Sequence, residues 1–127
     1  MFEAYCAVGT ENRPKPPVKW AGGKGQLIPQ LEPLLPKNDC RLYLEPFLGG
    51  GALFFHLLPS KAVLIDNNEE LMNFYLVVRD NLEQLLDDLR KHENTAEYYY
   101  KIRALDAEKL SPVERASRFL YLNKTAY

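Results

Sequence analysis

Residues 42–55 read LYLEPFLGGGALFF, and this stretch decides the fold. A short apolar strand ends in the carboxylate of Glu45, and a glycine-rich loop at 46–51 leads into an apolar helical segment. In α/β sheets such a unit binds the polar part of a nucleotide-like ligand, because glycines let the backbone come close and the helix N-terminus offers unpaired N–H groups. The spacing does not satisfy GxGxxG, so the glycines alone fit a plain strand-to-helix turn equally well.

A second strand with a carboxylate at its end follows that helical segment. Residues 61–66 read KAVLID, and so apolar a run is typical of a buried parallel strand. Asp66 lies 21 residues after Glu45, and in doubly wound folds an acid about 20 residues on binds the ribose hydroxyls of an adenosine group. The alternative is that Asp66 caps the helix beginning near Asn67. Together the two strand ends predict an adenosine pocket.

Residues 19–24, KWAGGK, supply a third piece. They do not form a Walker A phosphate loop, because Val18 stands where its first glycine belongs and no Ser or Thr follows Lys24. An aromatic ring and a lysine beside a glycine turn suit a ligand with a flat ring and a carboxylate. The alternative is a core tryptophan, Trp20, beside an exposed lysine.

The rest of the chain has a mainly helical pattern. Residues 1–17 hold three prolines and no hydrophobic period, which predicts an extended lead-in. Asn94 and Ser111 stand where helix N-caps are expected, and Ser111 is the stronger signal because Pro112 and Glu114 complete a capping box. The predicted helices cover 27–35, 52–58, 68–92 and 112–124. One buried stripe is predicted from Leu71, Phe74, Tyr75, Val78, Leu82, Leu85, Leu86 and Leu89.

This order of elements, helix–strand–helix–strand followed by helices, predicts an α/β architecture. Two parallel strands are too small a sheet to stand alone. The helical pattern also continues to Tyr127 without a C-terminal cap signal. We therefore expect the chain to be the first part of something larger.

The composition is that of a soluble globular protein of single-domain size. The chain has 127 residues, of which 46% are hydrophobic and 26% charged, which excludes disordered and low-complexity classes. No apolar run reaches the ~20 residues of a membrane helix, and the N-terminus lacks the pattern of a secretory signal. Cys6 and Cys40 have no metal-binding spacing, which predicts free thiols, a cytoplasmic location and no metal site.

The net charge of −1 hides a segregation along the chain. Residues 66–93 carry eight acids and three bases, whereas residues 1–24 carry four bases and two acids, and residues 94–127 carry six bases and four acids. A protein that coats nucleic acid non-specifically is usually basic throughout. A DNA enzyme with a local basic face remains open, beside an ordinary cytoplasmic enzyme with solvated helix faces.

Four ordered motifs resemble one known family. They are KWAGGK at 19–24, LEPFLGGGALFF at 44–55, VLIDNNEELMNFY at 63–75 and RASRFLYLNKTAY at 115–127. Together they look like the N-terminal half of the Dam-type (D12 class) DNA adenine N6-methyltransferases, over about residues 16–127. The resemblance implies a partial doubly wound, Rossmann-like methyltransferase fold with additional helices.

The resemblance also implies an S-adenosyl-L-methionine site. Trp20 and Lys24 would contact this cofactor, with Lys24 near its methionine carboxylate. Asp66 would take the ribose hydroxyls, and the segment from Glu45 to Gly51 would line the methionine side. The implied cofactor-binding residues are Trp20, Gly22, Gly23, Lys24, Glu45, Pro46, Phe47, Gly49, Gly51 and Asp66.

Double-stranded DNA is the implied partner, with Lys19 and Tyr127 as contact residues. The family's catalytic Asp-Pro-Pro-Tyr motif, which holds the flipped adenine, does not occur in this sequence. We therefore assign no catalytic residue and expect an inactive N-terminal fragment that lacks a C-terminal half. An exposed sheet edge or helix face would then favour self-association.

The resemblance suggests a division by role. Residues 1–17 would be the lead-in, 18–93 the cofactor-binding part and 94–127 helices leading into the DNA-recognition region. The alternative is a non-catalytic half of a split or degraded methyltransferase, which binds the cofactor or a partner chain. A nicotinamide dehydrogenase is disfavoured because the GxGxxG motif is missing.

Other chemistry-bearing residues give weaker signals. His56 and His92 are isolated in the sequence, and a histidine in an apolar helix is more often a core residue than a ligand. The tyrosines at 98–100 could stack on bases, but three adjacent helical residues point in different directions, so core packing is favoured. Cys40 has no neighbouring base to make it a nucleophile.

Overall fold

Two short parallel strands organise the first part of the chain. In the computed structural model, which describes residues 13–36 and 41–126, β1 (Tyr43–Glu45) pairs in parallel with β2 (Ala62–Leu64). Hydrogen bonds continue past the strands: the Ile65 amide donates to the Glu45 carbonyl at 2.9 Å, and the Leu48 amide donates to the Ile65 carbonyl at 3.0 Å. The carboxyl ends of both strands therefore meet at one edge, as the sequence predicted.

The helices beside the strands are short because prolines interrupt them. Helix α1 (Ile28–Leu31) lies between two 3₁₀ turns, Lys24–Leu27 and Glu32–Leu34, with Pro29 and Pro33 at early positions of their segments. Proline has no N–H to donate within a helix, so the predicted 27–35 helix is broken into pieces. Helix α2 (Ala52–Leu57) matches its predicted range within one residue.

The prediction that β2 is a buried strand is wrong for this structure. Leu42, Leu44, Val63 and Ile65 share one face of the strand pair, because side chains two residues apart point the same way and Leu44 lies opposite Val63. Their exposed fractions run from 41% to 57%. A sheet of only two strands leaves this apolar face open among the described residues.

The packing divides the chain after Asp66. One compact unit is Met1–Asp66 and the other is Asn67–Tyr127. The first unit contains the strands, and the second contains helices only within its described residues. The combination of helices with a short parallel sheet confirms the mixed α/β character. The division by role at 17 and 93 stays a prediction.

The second unit is built around one long helix. Helix α6 (Pro112–Thr125) packs against each of the other three α-helices of this unit, and Ala116 and Ser117 at its centre are fully buried. The α-helices of the unit are α3 (Glu69–Asp80), α4 (Leu82–Leu89), α5 (Ala96–Arg103) and α6 (Pro112–Thr125). The buried apolar side chains are Leu71, Phe74, Val77, Leu85, Ile102, Ala116 and Tyr121.

Asn81 breaks the helical segment that the sequence predicts as continuous. Its φ of −137° and ψ of 38° are not helical, and α3 ends and α4 begins beside it. This break changes which side chains face inward, because a helical stripe depends on unbroken periodicity. Leu82 and Leu86 of the predicted stripe, which lie beyond the break, are exposed, whereas Val77 within α3 is buried.

The N-caps of the helices test the sequence signals individually. Ser111 forms the predicted capping box with Glu114, whose carboxylate accepts a hydrogen bond from the Ser111 amide at 2.9 Å. The predicted cap at Asn94 is wrong by one position, since the Thr95 hydroxyl accepts from the Tyr98 amide.

Over the described parts of the chain, no helix is both long and apolar enough to span a membrane.

Candidate functional site

A cavity of about 230 Å³ lies in the first unit where both strands end. It is bounded by the glycine turn at 20–24, by the loop after β1, and by Asp66 after β2. Its lining residues are Trp20, Ala21, Gly22, Gly23, Lys24, Phe47, Leu48, Gly49, Gly50, Ala52 and Asp66. We call this cavity the strand-end cavity. It brings together the three sequence motifs that predicted a ligand site.

Asp66 joins the ends of the two strands. Its Oδ2 atom accepts a hydrogen bond from the Gly49 amide at 2.9 Å. The alternative role for Asp66, capping the next helix, is filled by Asn68, whose Oδ1 accepts from the Leu71 amide at 2.9 Å. Asp66 is therefore held against the glycine loop and presents a carboxylate at the cavity wall.

The glycine loop packs directly against Trp20. Gly49 has a φ of +55°, and a Cβ placed there would lie 2.9 Å from Cδ1 of the Trp20 indole. A side chain at this position would therefore be strained and would collide with the ring. The glycine permits the loop to lie against the aromatic ring at the cavity wall.

Lys24 reaches across from the glycine turn to the loop after β1. Its Nζ donates to Glu45 Oε1 at 3.1 Å and also to the Phe47 carbonyl oxygen. Glu45 is buried, whereas about a third of the Lys24 side chain is exposed. The ammonium is therefore fixed at the cavity wall with part of its surface open to a ligand.

Tyr43 completes the support of Glu45 from within the same strand. Its hydroxyl donates to Glu45 Oε2 at 2.7 Å. The sequence reasoning missed this residue. The signal was available, because residues two apart on a strand lie on the same face and a tyrosine there can reach the carboxylate.

A second cavity of about 490 Å³ adjoins the first. The two share Trp20, Ala52 and the glycines at 22, 23 and 50. The additional lining residues are Pro16, Val18, Gly25 and Gln26. Trp20 thus contributes to the walls of both cavities, and its contact with a ligand stays a prediction.

The structure brings most of the implied cofactor residues to the strand-end cavity, but not all of them. Seven line it: Trp20, Gly22, Gly23, Lys24, Phe47, Gly49 and Asp66. Glu45, Pro46 and Gly51 do not, and Glu45 instead lies behind Lys24. Gly51, with a φ of 74°, immediately precedes α2.

The two implied DNA-contact residues lie in different parts of the chain. Lys19 is exposed and immediately precedes Trp20. Tyr127 lies outside the described residues. The described residues contain no group of three or more His, Cys, Asp or Glu side chains placed to hold a metal ion.

The second unit contains a part-buried polar cluster that the sequence did not indicate. His92 Nδ1 lies 3.0 Å from the Tyr98 hydroxyl and His92 Nε2 lies 2.8 Å from the Ser117 hydroxyl. The Tyr121 ring stacks on the imidazole with centroids 4.6 Å apart. Burial lowers the pKa of His92, Asp88 opposes that shift and Lys91 adds to it. We call this set of residues the His92 cluster.

Chemically, the strand-end cavity offers a cation, an anion and an aromatic surface at fixed positions. The Lys24 ammonium suits a carboxylate, the Asp66 carboxylate suits hydroxyl donors, and Trp20 and Phe47 offer flat apolar surfaces. The backbone N–H of Gly49 is already paired with Asp66. Such a set fits a ligand with a ring, hydroxyls and an amino-acid end, and one lysine facing one aspartate is poorly suited to a chain of phosphates.

Comparisons with known proteins find similarity to methyltransferases. A type II methyltransferase, M1.LlaDCHI of Lactococcus lactis subsp. cremoris, is 47% identical over 114 residues, covering 85% of this chain and 40% of the relative. The type II methyltransferase M.MjaIII of Methanocaldococcus jannaschii is 38% identical over 133 residues, with coverages of 89% and 46%. The DNA adenine methylase of Escherichia coli strain K12 is 35% identical, with coverages of 87% and 40%.

The chain spans less than half of the length of each of these relatives. The model of one family matches residues 20–127, which is most of the chain and includes every residue that lines the strand-end cavity. By this match and these identities, the chain belongs to the D12 class N6 adenine-specific DNA methyltransferases.

Proposed function

We propose that this chain provides the S-adenosyl-L-methionine-binding part of a site-specific DNA adenine N6-methyltransferase. The observation that carries the proposal is the convergence of Trp20, Lys24 and Asp66 on one cavity at the carboxyl ends of two parallel strands. Ligands of open α/β sheets bind outside the carboxyl ends of the strands. A Rossmann-like methyltransferase fold, of which these strands would be two members, is part of the proposal.

The residues present fit this cofactor. S-adenosyl-L-methionine has an adenine ring, a ribose diol and an amino-acid end, and it carries no phosphate. In our proposal the Asp66 carboxylate accepts from the ribose hydroxyls, and the Lys24 ammonium binds the methionine carboxylate. Trp20 and Phe47 supply apolar surface, and Gly22, Gly23 and Gly49 let the backbone lie close to the ligand.

Glu45, Pro46 and Gly51 have a supporting role in this proposal. Glu45 holds Lys24 from behind the cavity wall, and Gly51 turns the chain into α2 through its left-handed backbone. Pro46 lies between Glu45 and Phe47, and its ring restricts the backbone of the loop at this position.

The bound cofactor would supply an activated methyl group for transfer to the exocyclic amine of an adenine turned out of the duplex. The residues of this chain bind and orient; none of them is proposed to move a proton or attack the substrate. The family's Asp-Pro-Pro-Tyr motif, absent from these 127 residues, would hold the adenine in a complete enzyme.

Double-stranded DNA is the proposed substrate of the whole enzyme. The exposed Lys19, next to Trp20, is the proposed DNA contact in the first unit, and the helices of 94–127 are proposed to lead into the recognition region. A cytoplasmic location, association with a further part of the enzyme, and self-association of the chain stay predictions. The open face formed by Leu42, Leu44, Val63 and Ile65 favours association.

Titration calorimetry with S-adenosyl-L-methionine tests the proposed function. We expect saturable binding by the 127-residue chain and a loss of about 5- to 150-fold in affinity on Asp66→Asn, since the diol loses its charged acceptor. Asp87→Asn, at an exposed position in α4, is the matched control and should bind like the wild type. A folded wild-type chain that does not bind, or equal binding by Asp66→Asn, would refute the proposal.

A further inference from the structure

We propose that Tyr43 is a positioning residue for the amino-acid end of the cofactor. It acts through Glu45 and Lys24 and does not touch the ligand itself. This inference rests on the proposed function. Tyr43 and Glu45 both belong to β1, and neither of them lines the strand-end cavity.

Glu45 is held on both of its oxygens. Its side chain is 5% exposed, Oε1 accepts from Lys24 Nζ at 3.1 Å, and Oε2 accepts from the Tyr43 hydroxyl at 2.7 Å. A carboxylate buried this far needs donors at both oxygens, because an unpaired buried acceptor costs free energy. The Tyr43 hydroxyl therefore determines which way the carboxylate faces.

The direction of the carboxylate in turn fixes Lys24. The lysine ammonium has three N–H donors; Glu45 Oε1 accepts from it, and so does the Phe47 carbonyl oxygen. A ligand carboxylate at the strand-end cavity would take the remaining donor. Lys24 lines that cavity, whereas Tyr43 and Glu45 do not.

Removal of the Tyr43 hydroxyl should loosen this arrangement while leaving the ring in place. Without its second donor, Glu45 would turn both oxygens towards Lys24, the side-chain donor that remains to it among the described residues. The ammonium would then be drawn towards Glu45, and its remaining N–H donor would bind a ligand carboxylate less well. The effect should therefore depend on whether the ligand carries a carboxylate.

Two ligands that differ at the amino-acid end separate this role from a purely structural one. S-adenosyl-L-homocysteine has the carboxylate, and 5′-methylthioadenosine lacks it but retains the adenosine. We expect Tyr43→Phe to weaken binding of the first about three- to tenfold and to leave binding of the second unchanged. Tyr100→Phe, at an exposed position in the other unit, is the matched control and should change neither.

A double-variant cycle adds an independent readout. With Glu45→Gln already in place, Tyr43→Phe should add little to the loss for S-adenosyl-L-homocysteine, since the two residues act as one unit. Circular dichroism and thermal unfolding show whether each variant is folded.

Several outcomes overturn the inference. Tyr43 would have a merely structural role, or none, if Tyr43→Phe weakened the binding of both ligands equally or of neither. The same would follow if the effects of Tyr43→Phe and Glu45→Gln on affinity were additive. If the wild-type chain binds neither ligand, the proposed function fails and this inference fails with it. If the wild type binds both ligands and Tyr43→Phe changes nothing, only this inference fails.

Discussion

The Asp66 carboxylate accepts a hydrogen bond from the Gly49 amide at 2.9 Å. One acid at the end of β2 thereby fixes the glycine loop that follows β1. The same loop lies against Trp20, so three separate stretches of sequence are joined at one cavity wall.

Gly49→Ala should disrupt the packing of the glycine loop against Trp20. The new Cβ would lie 2.9 Å from Trp20 Cδ1 and would occupy a backbone with a φ of +55°. The left-handed conformation alone costs about 1–2 kcal/mol in a residue with a Cβ, and the collision adds to it. We expect weaker S-adenosyl-L-methionine binding and a lower unfolding temperature of the chain, measured by calorimetry and circular dichroism.

Gly25→Ala is the matched control for that substitution. A Cβ at Gly25 would meet no heavy atom within 4 Å, and its backbone is outside the left-handed region. Its unfolding temperature and its binding should stay close to those of the wild type. Equal behaviour of the two alanine variants would contradict the proposed packing of Gly49 on Trp20.

The His92 cluster predicts a pH dependence of stability. Burial lowers the pKa of folded His92 below its ordinary value of 6.5. The unfolded chain therefore takes up a proton at a higher pH than the folded chain does. The contribution of neutral His92 to stability is fully present above about pH 6.5 and is lost as the pH falls through the folded pKa.

Thermal unfolding measured from about pH 7.5 to about pH 5 would detect this effect, because histidine titrates in roughly that range. Among the described residues, the other charged groups near the imidazole include Asp88, Lys91, Glu93, Glu114 and Arg118. Hydrogen bonds and ion pairing hold the pKa of Asp88 below its usual range despite burial, so it titrates at lower pH. His92→Gln should reduce the pH dependence, and an undiminished dependence in that variant would contradict the assignment to His92.

Ser111→Ala should destabilise the second unit through its central helix. The Ser111 side chain and the Glu114 carboxylate form a capping box at the start of α6, and loss of an N-cap costs about 0.5–2 kcal/mol. Urea unfolding followed at 222 nm would detect a lower midpoint. Ser60→Ala, at an exposed position outside any helix, should leave the midpoint unchanged, and a similar shift in both variants would contradict the role of the cap.

The isolated chain should transfer no methyl group to DNA. In our proposal the residues at its cavity only bind and orient a cofactor, and the Asp-Pro-Pro-Tyr tetrapeptide is absent from its sequence. Purified chain, radiolabelled S-adenosyl-L-methionine and an adenine-containing duplex would make the test. Label incorporated into adenine would show that other residues of this chain can replace the motif.

Local sequence patterns predicted the parts of this structure that depend on local chemistry. The parallel strands, the apolar helix after the glycine loop and the capping box at Ser111 follow from short-range rules. The break at Asn81 and the cap at Thr95 did not follow, because several polar residues near each helix end could serve and tertiary packing selects among them.

The sequence predicted several residues that line the strand-end cavity, but it did not predict the hydrogen bonds that hold them in place. Asp66, Trp20 and Lys24 were each marked by a motif, and all three line the strand-end cavity. The supporting role of Tyr43 depends on which way the Glu45 carboxylate turns. The His92 cluster joins residues from 92 to 121, and such distant contacts leave no periodic signal in a single sequence.

Nuclear magnetic resonance titration with S-adenosyl-L-homocysteine shows directly whether the ligand binds at the strand-end cavity. We expect the added ligand to shift the backbone amide signals of Gly22, Gly23 and Gly49 and the indole signal of Trp20, all at this cavity. The amide of Ser117, buried in the helical unit, serves as the internal reference and should not move. Shifts confined to the helical unit, or no shifts at a saturating ligand concentration, would contradict the account.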